Sequence, residues 1–526
     1  MRRRGQKLIR ILLLVLVWLY AGPARAEANL TPFASSSFVD IQRGVEALGT
    51  SGDPRALPIL QALQAGQLVV GPGNQNLIRD GTALRDATTG EPVPDAATRP
   101  VRMNNNVRRT AQAALGALRL FAPDPATRAV AAEDVFHSRD PADAPALDRA
   151  ITAEANPAIR RTMEQARAAI TLSAPPSDVA ATAAIGILRD RGGQEARAII
   201  AATPTPTPTV AAAMEAAITS IDFKQKLIGA GQTLFYGLSL GSVLLLAAAG
   251  LAISFGVMGV INMAHGELLM LGAYTTFVVQ ELIRAHAPWL FEASLAIAIP
   301  AAFLVSGAAG VLIERGMLRY LYGRPLETLL ATWGLSLVLQ QAVRSVFGAD
   351  NRNVGTPAWM SGTVELAGLS LTINRLTIII FAIAVLTLLI VGLRTTSLGL
   401  QMRAVTQNRR MAAAMGIRTP WVDALTFGLG SGLAGIAGVA LSQIDNVSPN
   451  LGQGYIIDSF MVVVFGGVGN LWGTALAALV LGVVNKVMEP VAGAVLGKVV
   501  VLVLLVLFIQ RRPRGLFPLK GRAVET

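Results

Sequence analysis

The stretch SFGVMGVINMAHGELLMLGAYTTFVVQ, residues Ser254–Gln280, decides what kind of fold this chain builds. A glycine-studded apolar run reaches Asn262, His265, Gly266 and Glu267 and then turns apolar again. Water-exposed loops are not this greasy, and uninterrupted membrane helices rarely carry three such polar groups so close together. Lipid offers polar groups no partners, so this island faces protein or a cavity and marks a break between two spans.

Apolar runs of about 17–25 residues, the length that crosses roughly 30 Å of hydrocarbon, follow one another outward from this stretch. They lie at 229–253, 266–284, 292–313, 328–346, 375–393, 423–443, 472–488 and 495–511, with a shorter apolar segment at 457–469. Basic residues orient them. The 394–422 connection holds Arg394, Arg403, Arg409, Arg410 and Arg418 and no acid, which predicts a cytoplasmic side. The loop with Arg315, Arg319 and Arg324 and the tail with Arg511, Arg512, Arg514, Lys520 and Arg522 read the same way. Residues 444–456 hold Asp445 and no base, which fits the outside. Returning to a cytoplasmic tail then needs an odd number of crossings. Residues 457–469 therefore cross, or turn back at Gly466-Gly467-Val468-Gly469, giving about eight or nine traverses. On this count the polar island sits at the cytoplasmic end of the first two spans.

The first 226 residues differ. Arg2, Arg3, Arg4, Lys7 and Arg10 precede the apolar Ile11–Tyr20, and Ala24-Arg25-Ala26 follows, the pattern of a signal peptide over 1–26. Residues 27–226 are Ala- and Arg-rich. NNNVRRTAQAALGAL from Asn104 and NPAIRRTMEQARAAI from Asn156 share an Asn cap ahead of an Ala-rich helix. SGDPRALPIL from Ser51 and SRDPADAPAL from Ser138 share a turn-then-helix order. Such recurrence predicts a HEAT-like helical domain outside the cytoplasm. A Gly-rich insert at 66–103, with turn signals at Asp80-Gly81 and Thr89-Gly90, predicts a small β-hairpin. TPTPTPT, 203–209, reads as a short extended linker. The predicted fold class is all-α, a polytopic membrane bundle over 227–520 preceded by that domain.

Composition excludes several functions. There is no cysteine, hence no disulfide framework and no Cys-based metal site. A net charge of +12 suits topology better than nucleic acid, because aromatics are 6% and interleave with no basic stripe. No Walker motif occurs. His137, alone in its half, reads as a surface or capping group, and no catalytic, cofactor or metal constellation is expected. The small residues Gly428, Gly432, Ala434, Gly435 and Gly438 read as a close helix contact. Residues Gln401–Arg418, QMRAVTQNRRMAAAMGIR, predict a short basic helix capped at Gly416, suited to docking a soluble partner or resting on anionic lipid.

GVINMAHGELLMLGAY (Gly259–Tyr274), RAVTQNRRMAAAMGI (Arg403–Ile417) and FGGVGNLWGTALAALVLG (Phe465–Gly482) together resemble the permeases of branched-chain amino acid ABC importers, over essentially all of 227–520. Ala412, Ala413, Ala414, Met415, Gly416 and Ile417 match that family's A-x-x-x-G-I core. The resemblance implies that Arg403–Ile417, with Arg409 and Arg410, contacts an ATPase. A signal segment, a 200-residue extension and the wording of Ile253–Gln280 are similar to the urea-importer subgroup. That implies two ABC ATPase subunits, a second homologous permease chain and a periplasmic binding protein as partners, in the inner membrane. The N-terminal domain is then periplasmic and the C-terminus cytoplasmic. The chain itself would be no enzyme. Candidate pathway or gate residues are Ser254, Asn262, His265, Glu267, Tyr274, Thr275 and Thr276. Glu267 suits a neutral solute such as urea better than an amino acid carboxylate. Branched-chain amino acids or other small amides, or a passive urea channel, are the competing readings.

Overall fold

A computed structural model describes residues 29–517 except 52, 54, 82, 95, 205 and 514. The expected signal segment at 1–26 and the tail residues Arg514, Lys520 and Arg522 lie outside the described residues. The chain divides into two compact units, one ending at Gln225 and the other starting at Lys226.

Unit one opens with α1 (Phe38–Thr50) and α2 (Ala56–Gln64). Five short strands follow: β1 (Leu68–Val70), β2 (Asn76–Asp80), β3 (Ala83–Asp86), β4 (Pro92–Val93) and β5 (Arg99–Pro100). They pair antiparallel in the order β4-β3-β2-β1-β5. Residues 66–103 thus carry a five-stranded sheet where one hairpin was expected. The all-α reading is corrected accordingly: Leu68, Val69 and Val70 are all buried, so β1 is the sheet's interior. Two-residue strands such as β4 and β5 are too short to show periodicity in sequence.

Helices α3 (Asn105–Arg119), α4 (Pro125–Ser138), α5 (Ala144–Ala153), α6 (Pro157–Ser173), α7 (Asp178–Arg191) and α8 (Gly193–Ala201) complete the unit. Asn104 and Asn156 do cap: their Oδ1 atoms accept from Val107 N at 2.8 Å and Ala158 N at 3.0 Å. Phe136, Leu147, Met163 and Leu188 form the core between α4, α5, α6 and α7. His137 Nδ1 lies 2.7 Å from a Glu195 carboxylate oxygen at a half-exposed site. Residues 203, 204, 206 and 207 are non-helical, and Pro208 opens the next helix at its N-terminal turn, where a missing N–H costs nothing.

That helix, α9 (Pro208–Met258), begins in the unit-one core through Val210, Ala217 and Ile221. Unit two continues with α10 (His265–His286), α11 (Ser294–Gly316) and α12 (Pro325–Phe347). A two-stranded hairpin, β6 (Thr363–Leu366) and β7 (Leu369–Thr372), is a second departure from all-α. Then come α13 (Ile373–Thr395), α14 (Ser397–Gln407), α15 (Arg409–Ala414), α16 (Thr419–Leu441), α17 (Leu451–Gly466) and α18 (Leu471–Arg511). Helix α18 is interrupted at Gly493 (φ 77°, ψ 164°).

All eight long segments expected from sequence are helical, and six helices among the described residues are long and apolar enough to cross a membrane. Helix α12 is not among the six, because polar residues recur along it; the part of α18 beyond Gly493 is not either. Helix α17 is a shorter apolar helix of 16 residues. The expected single helix over 401–418 is two helices meeting at Asn408, whose Oδ1 caps α15 by accepting from Met411 N at 3.0 Å. Gly416 follows α15 at φ 87°.

Helix α16 is the buried axis of unit two, with Gly430–Leu441 buried without a gap. A Cβ on Gly438 would stand 2.0 Å from Leu269 O on α10, and one on Gly435 would stand 2.5 Å from Ala302 O on α11. The small-residue run therefore serves close backbone approach, as its spacing indicates.

Candidate functional site

Helix α9 ends at Met258, and Gly259 takes φ 70°, a left-handed turn that suits glycine. Asn262 sits in the following turn, and its Oδ1 accepts from Ala264 N at 3.0 Å. His265, the first residue of α10, donates from Nε2 to Ala247 O across the break at 2.9 Å, because a carbonyl can only accept. Glu267 receives two hydrogen bonds at Oε1, from Ser336 Oγ at 3.0 Å and from Gln340 Nε2 at 2.7 Å. Asn262, His265 and Glu267 are each at most 2% exposed. His265 is tied to α9 and Glu267 to α12, while Asn262 bonds within its own turn.

The partner helix explains why Glu267 is tolerated. Thr328, Thr332, Ser336 and Gln340 are all buried and fall on every fourth position of α12, so they line one face. Met263 N donates to Thr332 Oγ1 at 3.2 Å, and Gln340 Oε1 accepts from Gln453 Nε2 at 3.3 Å. A hydrogen-bonded relay thus joins α10, α12 and α17 through Glu267, Gln340 and Gln453. None of the α12 residues was singled out from sequence. Their signal was legible nonetheless: a polar residue every fourth position within an otherwise apolar helix.

Two polar atoms of this region stay unsatisfied, Glu267 Oε2 and Asn262 Nδ2, as does the buried Tyr274 hydroxyl. The Tyr274 ring lies 4.7 Å from that of Phe347. Ser254, Thr275 and Thr276 differ, because their hydroxyls donate back to Gly250 O (3.2 Å), Leu271 O (2.7 Å) and Gly272 O (3.0 Å). Those hydroxyls are already used within their own helices, which weakens them as solute ligands. Among the described residues no cation pairs with Glu267, and no group of three His, Asp or Glu side chains gathers as a metal site. The set is one of neutral donors and acceptors around a single carboxyl group.

The basic segment divides by what its side chains bond. Arg403 is anchored through its guanidinium to Leu393 O. Arg409 forks onto Asp423, with Nη1 to Oδ1 at 3.1 Å and a second bond from Nη2 to Oδ2. Ala412 is buried and Ile417 partly buried, packed with Met402 and Val405. Arg410, Met411, Ala413, Ala414 and Met415 are exposed, Met415 to 77%.

A family model described as the permease component of the branched-chain amino acid transport system matches residues 233–509. The high-affinity branched-chain amino acid transport system permease protein LivH of Salmonella typhimurium is 31% identical over 295 residues, 54% of this chain and 94% of that relative. BraD of Pseudomonas aeruginosa, of the same description, is 32% identical over 292 residues, again 54% and 94%. The ribose import permease protein RbsC of Escherichia coli K12 is 26% identical over 273 residues, 48% of this chain and 76% of its own. No solved structure matches.

Proposed function

The chain belongs to the branched-chain amino acid transport system permease family, and on that premise we propose that it is the membrane-pathway subunit of an ATP-driven importer whose solute is urea. The observation that carries the choice of solute is the Glu267 set. A carboxyl group whose hydrogen-bond partners are Ser336 and Gln340 offers neutral donors and acceptors and no cation. An amino acid brings a carboxylate for which this set holds no cation, although its ammonium suits Glu267; urea needs only neutral hydrogen bonds. Unit one supports the same choice. Residues 29–225 lie outside the family match, while relatives named for branched-chain amino acids are covered over 94% of their length. Those names favour the second reading, import of branched-chain amino acids.

In this reading the exposed face of Arg410, Met411, Ala413, Ala414 and Met415 docks one of two ATPase subunits, and a second homologous permease chain completes the pathway. A periplasmic binding protein delivers solute, unit one stands in the periplasm of the inner membrane, and the C-terminus is cytoplasmic. ATP is hydrolysed by the separate subunit. The test is uptake of labelled urea and labelled leucine under nitrogen limitation in a strain lacking this chain. Loss of urea uptake with leucine uptake intact is expected; the reverse overturns the solute. Urea uptake that persists with Arg410→Ala and survives ATP depletion would identify a passive channel.

A further inference from the structure

We infer that Arg409 is a positioning residue, the mechanical link between the basic segment and the membrane helices, and that Arg410 beside it is the one that meets the ATPase. The inference rests on the importer reading above and divides two arginines that the sequence treats alike. Both side chains reach solvent, Arg409 being 43% exposed, but among the described residues only Arg409 has a bonding partner. Arg409 turns inward and forks onto Asp423, which is fully buried in the second turn of α16. Its guanidinium carbon also stands 5.1 Å above the Tyr322 ring. Tyr322 in turn donates its hydroxyl to Glu314 Oε1 at 2.7 Å, in the last turn of α11. Arg315, alternating with Glu314, lies 4.2 Å above the Trp421 ring of α16. Arg410 is exposed and has no ion-pair partner among the described residues.

This arrangement ties α15 to the start of α16 and the end of α11 at one place. Helices α11 and α16 share the most extensive helix contact of unit two, so a pull at Asp423 is felt along the buried axis. The covalent route from α15 to α16 is less direct. It passes through the turn at Gly416, φ 87°, where Gly416 N and Ile417 N bond back to Ala413 O and Ala412 O. The bidentate arginine–carboxylate pair adds a side-chain link to that backbone turn, and both of its hydrogen bonds fix direction as well as distance. Breaking it leaves the Asp423 carboxyl buried without its cation.

The test uses the affinity-tagged full-length chain expressed in its own host, with two readouts: uptake of labelled urea and leucine, and ATPase activity recovered with the purified chain. For Arg409→Ala the expected result is ATPase recovery within twofold of the unaltered chain and uptake lower by at least tenfold. Arg410→Ala should do the opposite first, lowering ATPase recovery. The exchange Arg409→Asp with Asp423→Arg should raise uptake at least fivefold above either single change. Unchanged uptake in Arg409→Ala, or an exchange no better than its single changes, overturns the link. Should Arg409→Ala fail to insert, the exchange and Arg409→Lys decide, Lys keeping charge but losing the fork and retaining an intermediate uptake. If the unaltered chain recovers no ATPase activity, the importer reading itself fails, a result separable from failure of the link.

Discussion

Gln340 donates from Nε2 to Glu267 Oε1 at 2.7 Å, and this bond joins α12 to the first turn of α10 inside the membrane unit. It helps accommodate an acidic side chain that is 1% exposed, by satisfying one of its two carboxyl oxygens. The partner is a neutral amide from a helix 73 residues further along the chain.

Replacing Gln340 by Leu should therefore destabilise unit two by about 0.6–2 kcal/mol, the range for interhelical hydrogen bonds in membranes. Glu267→Gln, which keeps an acceptor at the same reach, should cost less. Thermal unfolding of the purified chain in detergent checks the order. Equal losses would show that charge at position 267 matters more than the hydrogen bond.

The close approach of α16 to α10 predicts a sharp contrast between two glycines. Gly438→Leu places side-chain atoms where Leu269 O and Ala273 N already stand, and should destabilise by about 1–3 kcal/mol or prevent assembly. Gly334→Ala, within α12 and with nothing near its Cα, should be neutral or stabilise by about 0.5–1 kcal/mol. Expression level and detergent melting temperature distinguish the two.

Lys498, beyond the Gly493 break, pairs at 2.8 Å with Asp458 of α17, a carboxylate 4% exposed. Lys498→Met should lower stability by about 1–3 kcal/mol, less than for a fully buried pair because Lys498 is half exposed. Adding Asp458→Asn should restore part of the loss, since the buried charge goes with its partner. A double change as unstable as the single one would mean that the pair is not what fixes the last helix segment against α17.

In unit one, burial, and secondarily the nearby Asp140 charge, raise the Asp143 carboxyl from 3.8 to about 6. The native state then favours the protonated form. Its contribution is fully present below about pH 3.8 and is lost as pH rises through about 6. Hydrogen exchange of residues 105–153, corrected for intrinsic rates, should slow between pH 7 and pH 5. Asp143→Asn should remove that dependence and add about 1–3 kcal/mol of protection at pH 7.

The sequence by itself determined that the chain is mostly helical and carries a series of apolar segments of membrane length. Hydrocarbon thickness imposes a fixed apolar length, and that length is written locally in each segment. The Asn104 and Asn156 caps and the α16 glycines were legible for the same reason: a cap or a close contact is specified within one turn. The polar break at 259–264 was visible as a conflict between apolar surroundings and polar side chains. What only the tertiary structure decided is which partners resolve that conflict. Ser336 and Gln340 come to Glu267, and Asp423 to Arg409, across connections whose geometry no local pattern encodes. The same limit hid the five-stranded sheet, because two-residue strands gain their identity from neighbours rather than from their own periodicity. It also hid the difference between Arg409 and Arg410. Adjacent helix positions point about 100° apart, and only the packed bundle fixes which of the two reaches Asp423.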